Sequence, residues 1–205
     1  MNSKIIFDYT RNKFGGTQAQ YDALLRILNS GAKPEDVAQF VGMGLEQVEK
    51  PVIQTKWSLS QTSLNRLVGV NPDLVKVVKR AIEISEYDFM VVEGLRTKEK
   101  QAEYVKKGVS KTMNSYHLTG HAVDLAPLEN GAIDWENKKG QFDSVAKAMM
   151  QAAKELGVKV VYGGVWDKNM AEYDNPQQES LSYVGRQRSK GLSAFIDKPH
   201  FQVSR

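Results

Sequence analysis

The chain has 205 residues, 41% hydrophobic and 25% charged, a composition that suits one soluble core with a small accessory unit and excludes long low-complexity sequence. It contains no cysteine, so disulfides contribute nothing and any metal must be held by nitrogen and oxygen donors. A net charge of +4 and a pI near 9.1 suit anionic partners such as wall polymers, nucleic acid or membrane surfaces, although so mild an excess is equally explained by solubility.

The first eight residues hold no apolar run of signal-peptide length, and no later segment approaches a membrane span. Synthesis in the cytoplasm, without membrane insertion or export by the usual route, is the expectation. Residues 17–29 carry apolar side chains at Tyr21, Leu24, Leu25, Ile27 and Leu28, a helical spacing that Gly31 stops. Pro34 opens a second short helix through Val37, Ala38 and Val41, residues 42–44 turn, and residues 45–50 form a third helix. The pattern resembles a helix-turn-helix unit. However, Glu46 and Glu49 stand where phosphate contacts would want cations, so a small helical accessory domain over residues 1–50 is preferred to a DNA reader and no stable nucleic-acid partner is expected. Pro51 disfavours continuation of the preceding helix, and residues 51–56 read as a linker.

Beyond the linker, helices and strands interleave. Asn71 and Pro72 fit an N-cap and first helical position, followed by one buried face of Leu74, Val77, Val78, Ala81 and Ile82. Residues 89–92 form a strand, and residues 97–107 a helix that stops at Gly108. Residues 122–125 are a short buried strand, residues 142–156 a periodic helix ended by Gly157, residues 158–162 a strand, and residues 199–203 the last strand. The expected fold is α+β, a small antiparallel or mixed sheet with helices packed against it.

The three histidines all fall in two segments, 115–124 and 197–200. His117, Asp124 and the distant His200 can supply an N/O/N zinc site with a fourth position for water, leaving Asp197 free to handle protons. Packing or hydrogen bonding is the competing reading for three histidines in a small domain. His117 and His121 are spaced as a helical i, i+4 pair, but Thr119-Gly120 disfavours a regular helix there and the glutamate of a zincin motif is absent.

Several landmarks then occur in a specific order: Leu59-Ser60, Leu67, Val70 and Pro72-Asp73-Leu74; Glu93-Gly94-Leu95-Arg96-Thr97 with Gln101; Ser110-Lys111; Ser115 to Asp124; Tyr162-Gly163-Gly164; and Asp197 to Phe201. Through these, residues 57–205 resemble the VanY-like zinc peptidases, the D-alanyl-D-alanine carboxypeptidase superfamily, and within it the phage and bacterial L-alanyl-D-glutamate endopeptidases. The resemblance implies a VanY/hedgehog-like peptidase fold for this catalytic domain. It also implies that His117, Asp124 and His200 are zinc ligands, that Asp197 is the catalytic carboxylate and that Arg96 faces the reacting carbonyl. His121 falls at a non-ligand position. Ser115 and Gln101 are candidates for holding the ligand loop and bracing Arg96, with a purely structural role as the alternative for each.

Two departures stand out. The family pattern Trp-Gly-Gly-Asp-Trp reads Tyr162-Gly163-Gly164-Val165-Trp166 here, so an acid is expected to be missing beside the cleft. About thirty residues separate Trp166 from Asp197, including Asn175-Pro176 and the basic Arg186, Arg188 and Lys190. An exposed excursion is the default reading of that insert, and a lid the alternative. The resulting expectation is a monomeric zinc peptidase acting on bacterial peptidoglycan. It would be an endolysin that accumulates in the host cytoplasm and reaches the wall once the membrane is permeabilised. A D-alanyl-D-alanine carboxypeptidase, or a DNA-binding regulator with an inactive peptidase-like domain, are the alternatives.

Overall fold

The computed structural model describes residues 56–204, which belong to a compact unit beginning at Thr55. The helices expected within residues 1–50, and the linker apart from Lys56, lie outside the described residues.

Ser60 caps a short helix α1 (Gln61–Arg66) by accepting a hydrogen bond from the Ser63 amide. Asn71 caps α2 (Pro72–Ile84) with Pro72 in its first turn, and the five expected apolar residues of α2 are its buried face. Strand β1 (Phe89–Glu93) follows, then α3 (Lys98–Lys106), capped by Thr97, and a 3-10 turn at Tyr116–Thr119. Strands β2 (Ala122–Glu129) and β3 (Ala132–Ile133) form a hairpin, and α4 (Gln141–Leu156) lies between Gly140 and Gly157. The chain ends with β4 (Val160–Tyr162), β5 (Val165–Asn169), a second 3-10 turn (Met170–Glu172), α5 (Pro176–Ser189) and β6 (His200–Val203).

Every strand pairing is antiparallel, in the order β1-β2-β6-β4-β5, with β3 added to β2. The last strand therefore enters the middle of the sheet. Two helices, α2 and α4, pack on each other, and Leu74, Val78, Met149 and Ala146 join Val91, Leu125 and Phe201 of the sheet in one core. Burying each of the larger apolar side chains contributes about 1.5–3 kcal/mol.

The insert between Trp166 and Asp197 is part packed and part exposed. It contains β5 and α5, and α5 is docked by the buried Pro176, Ser180 and Tyr183. Arg186 clamps Asp167 of β5 through two bonds of 2.9 and 2.8 Å, so the helical part of the insert is packed against the sheet while residues 189–193 are exposed. Val165 is fully buried in the core, so the residue replacing the expected acid packs inside and does not line the cleft.

Candidate metal centre

Sheet register does most of the assembly. Glu93 stands opposite Asp124 across β1 and β2, and Asp124 opposite His200 across β2 and β6, so three polar side chains share one row on one face. His117 arrives from the 3-10 turn. Ser115 starts that turn by accepting a bond from the His117 amide (3.3 Å), and Arg96 N–H donates to the His117 carbonyl (3.0 Å). The turn is thereby tied to the end of β1.

Each imidazole has its outward nitrogen engaged. His117 Nδ1 lies 2.8 Å from the Gly94 carbonyl, which only accepts, so the proton sits on Nδ1 and the Nε2 lone pair faces inward. His200 Nε2 lies 3.0 Å from Gln202 Oε1, leaving Nδ1 inward. The two inward nitrogens are 3.3 Å apart, and Asp124 Oδ1 is 3.3 Å from His117 Nε2 and 3.2 Å from His200 Nδ1. Three electron-rich atoms facing one another at these distances call for a cation between them. Ligands about 2.0–2.1 Å from a tetrahedral centre stand about 3.3–3.4 Å apart, so this triangle fits one face of a zinc-sized tetrahedral site. These are the three residues among those described that form a metal-capable group, and His117 and His200 are almost fully buried.

The electrostatics agree. Burial opposes the charge on Asp124, but the imidazoles of His117 and His200, when they carry a proton on the inward nitrogen, outweigh that and hold its carboxyl well below the usual range. Burial would likewise lower the His200 imidazole, and the bond to Asp124 reverses the sign and raises it. A pocket that favours a proton here favours a metal cation for the same reason.

Beside the triad, Arg96 donates to Glu93 Oε2 and to Gln101 Oε1, both at 2.7 Å, and reaches to 3.6 Å from Asp124 Oδ2. It lies against the Tyr104 ring at 4.7 Å, and its buried Nε has no protein partner. Gln101 is itself fixed by donating to Ser110 Oγ (2.8 Å) and the Thr112 carbonyl (2.6 Å). Glu93, a landmark of the sequence pattern without an assigned role, is the buried partner of Arg96 and Lys100. Burial raises its carboxyl, but the bonds from Arg96 and Lys100 win and lower it. The signal was present in the sequence, since an acid on the inward phase of a strand needs a cation, and Arg96 follows three residues later. Gln202, which orients His200, and Trp166, whose ring lies 5.1 Å from the His200 ring, were likewise not singled out as site residues.

Asp197 lies half-buried on the turn into β6, where its carboxyl is pushed up by burial and then by the charge of Asp124. The turn is pinned to Gly163: Asp197 N–H donates to the Gly163 carbonyl (2.9 Å) and Gly163 N–H to the His200 carbonyl (2.8 Å). A Cβ on Gly163 would sit 2.2 Å from the Asp197 carbonyl oxygen, so only glycine permits this approach. His121 is not in the group; its Nδ1 bonds locally to the Thr119 carbonyl at 2.8 Å.

The antiparallel sheet thus presents a His/Asp/His triangle able to hold a metal ion, beside a buried arginine and a half-buried carboxylate. The comparisons are specific: the phage L-alanyl-D-glutamate peptidase family matches residues 55–183, and the chain belongs to that family. The matched span includes Arg96, His117 and Asp124 and ends within α5, before Asp197 and His200. The L-alanyl-D-glutamate peptidase of Escherichia phage T5 is 40% identical over 121 residues, covering 58% of this chain and 88% of that protein. That of Listeria phage A118 is 29% identical over 149 residues, covering 72% of this chain and 42% of its own length. Among solved structures, the Serratia marcescens L-Ala D-Glu endopeptidase ChiX is 31% identical with a TM-score of 0.54, over 76% of this chain and 96% of that one.

Proposed function

We propose that this peptidase is a zinc-dependent phage endolysin that hydrolyses the L-alanyl-D-glutamate bond of the peptidoglycan stem peptide. The observation that carries the reading is the 3.2–3.3 Å triangle of His117, Asp124 and His200 in a chain whose family takes its name from that bond. Two imidazoles, one carboxylate and no cysteine are a donor set that suits zinc. Zinc held there supplies Lewis acidity, which makes water a competent nucleophile near neutral pH.

The protein's own groups do the rest. Asp197 accepts the proton of the attacking water and returns it to the departing amine, a role for which a half-buried, ionisable carboxyl next to the triad is suited. Arg96, a guanidinium with one unpaired buried N–H, stabilises negative charge developing on the carbonyl oxygen without entering the proton traffic. Glu93 and Gln101 hold the guanidinium plane in place, and Ser115 holds the turn that delivers His117. No acyl-enzyme is required.

Among the described residues no helix is long and apolar enough to cross a membrane. The proposed course is access to the wall after another protein permeabilises the membrane, with residues 1–50 acting as a tether that raises local concentration there. Mass spectrometry of digested peptidoglycan tests the cleavage: new L-alanine carboxyl ends paired with D-glutamate amino ends are expected. Release of terminal D-alanine alone would assign the chain to the carboxypeptidases instead. Deletion of residues 1–50 should weaken binding to purified sacculi and spare hydrolysis of a small soluble peptide.

A further inference from the structure

We propose that Lys111 is a specificity residue of this cleft, and that its ammonium group binds the free carboxylate of the glutamyl residue on the departing side of the scissile bond. The inference rests on the peptidase reading above and adds the substrate group that is recognised.

The placement of Lys111 is governed by the site. Its neighbours Ser110 and Thr112 are the two residues that grip Gln101, and Gln101 grips Arg96, so the main chain at Lys111 is fastened to the Arg96 side of the cleft. Its side chain crosses to the other side: Nζ lies 4.8 Å from the centre of the Phe195 ring. Phe195 stacks on Trp166 at 5.9 Å and 22°, and Trp166 lies against the ring of His200. One lysine thus spans from the wall that carries the guanidinium to the wall that carries the metal ligand.

Its charge is uncommitted. Lys100 and Lys107 of the same segment pair with Glu93 and Glu103, whereas no carboxylate pairs with Lys111 among the described residues. It rests on the ring of Phe195, which is itself 44% exposed. Exposed and resting on an aromatic face, the ammonium group is open to an anion approaching from solvent. The substrate brings such an anion. A glutamyl residue has two carboxyl groups, the peptide chain uses one, and the other is ionised at neutral pH. Recognition of that group would separate a glutamyl stem from the same stem carrying a carboxamide, which offers no charge to the lysine.

The test compares two synthetic stem peptides, one with the free glutamyl carboxylate and one with a carboxamide in its place, using the full-length zinc-loaded protein. The unmodified protein should favour the acid by about five- to tenfold in kcat/KM, mainly through KM, the effect of one well-placed, partly exposed ion pair. Lys111→Met should bring the ratio near one and Lys111→Arg should keep most of it. Lys147→Met, on the exposed side of α4, should leave it intact. A ratio unchanged in Lys111→Met, an equal loss on both peptides, or an original preference for the amide would each overturn the assignment. Cleavage of neither peptide by the zinc-loaded protein would remove the peptidase reading itself, and the inference with it.

Discussion

On one side of the cleft Arg96 is held by other side chains: Glu93 and Gln101 accept its hydrogens at 2.7 Å, the Tyr104 ring covers one face, and Gln101 is braced in turn by the Ser110 segment. On the opposite side Asp197 and His200 are held by main chain. Gly163 exchanges bonds with both residues, and the Pro199 carbonyl accepts from Leu125 N–H at 2.9 Å. The first wall depends on which polar groups are buried there, so one altered side chain unbalances it. The second depends on backbone approach, so Asp197 can be exchanged without loss of shape while a Cβ at Gly163 cannot be tolerated.

The largest effect should come from the ligands that join the walls. His117→Ala and His200→Ala each remove one corner of the triangle and leave the acceptor of the outward bond, the buried Gly94 O or the partly buried Gln202 Oε1, without its donor. Zinc content by elemental analysis and peptide hydrolysis should be lost together, and a chelator should abolish the activity of the unmodified protein. Full turnover in rigorously metal-free protein would remove the site from the mechanism.

Next comes the main-chain wall. Asp197→Asn preserves size and every backbone bond of the turn, so fold and zinc should persist while turnover falls about a hundred- to ten-thousand-fold, the usual value of a general base. The acidic limb of the rate profile should vanish in Asp197→Asn and persist in Arg96→Ala, because the second variant leaves the Asp197 carboxyl in place. Zinc loss in folded Asp197→Asn would mean that the carboxylate is a ligand.

The side-chain wall should respond through stability. Glu93→Gln leaves Arg96 buried against a neutral partner, and breaking such a pair costs about 3 kcal/mol. The pH dependence has a definite sign. The folded-state pKa of Glu93 is lowered, since the bonds from Arg96 and Lys100 outweigh the burial that raises it. Its stabilisation is therefore complete above the ordinary glutamate value of about 4.3 and is lost as pH falls through the lower folded value. The difference in Tm between the unmodified protein and Glu93→Gln should be constant near neutrality and narrow in acid. A difference that widened in acid would reverse the charge assignment.

This contrast also accounts for what could be read from the sequence. Helices α2 and α4 were legible because each carries a continuous apolar stripe. By contrast, α1 buries little beyond Ser63, and α5 buries only Pro176, Ser180 and Tyr183, so neither shows a stripe to read. Strand β3 is two residues long, and β5 buries only Val165, so alternation is absent. His117, Asp124 and His200 are legible as a motif that the fold brings together, and the roles proposed for Asp197 and Arg96 rest on the same side-chain chemistry. The central place of β6 and the grip of Gly163 on Asp197 were not, because they depend on partners distant in sequence and on the absence of a side chain.

The smallest effect is expected at His121, which tests whether the triangle is complete with three protein ligands. Its spacing from His117 invites a ligand assignment, yet the 3-10 turn between them ends at Thr119, and the His121 ring bonds back to the Thr119 carbonyl (2.8 Å) and hydroxyl (3.1 Å). Both contacts are local and near solvent, so His121→Ala should alter stability by no more than about 0.5 kcal/mol. The main-chain bond from Val203 N–H to the His121 carbonyl does not depend on the side chain, so the join to β6 should survive. Zinc stoichiometry and kcat/KM should match the unmodified protein within error. Loss of zinc with the fold intact would show that His121 swings inward as a fourth ligand, which would close the position that an attacking water needs and contradict a hydrolytic role for the site.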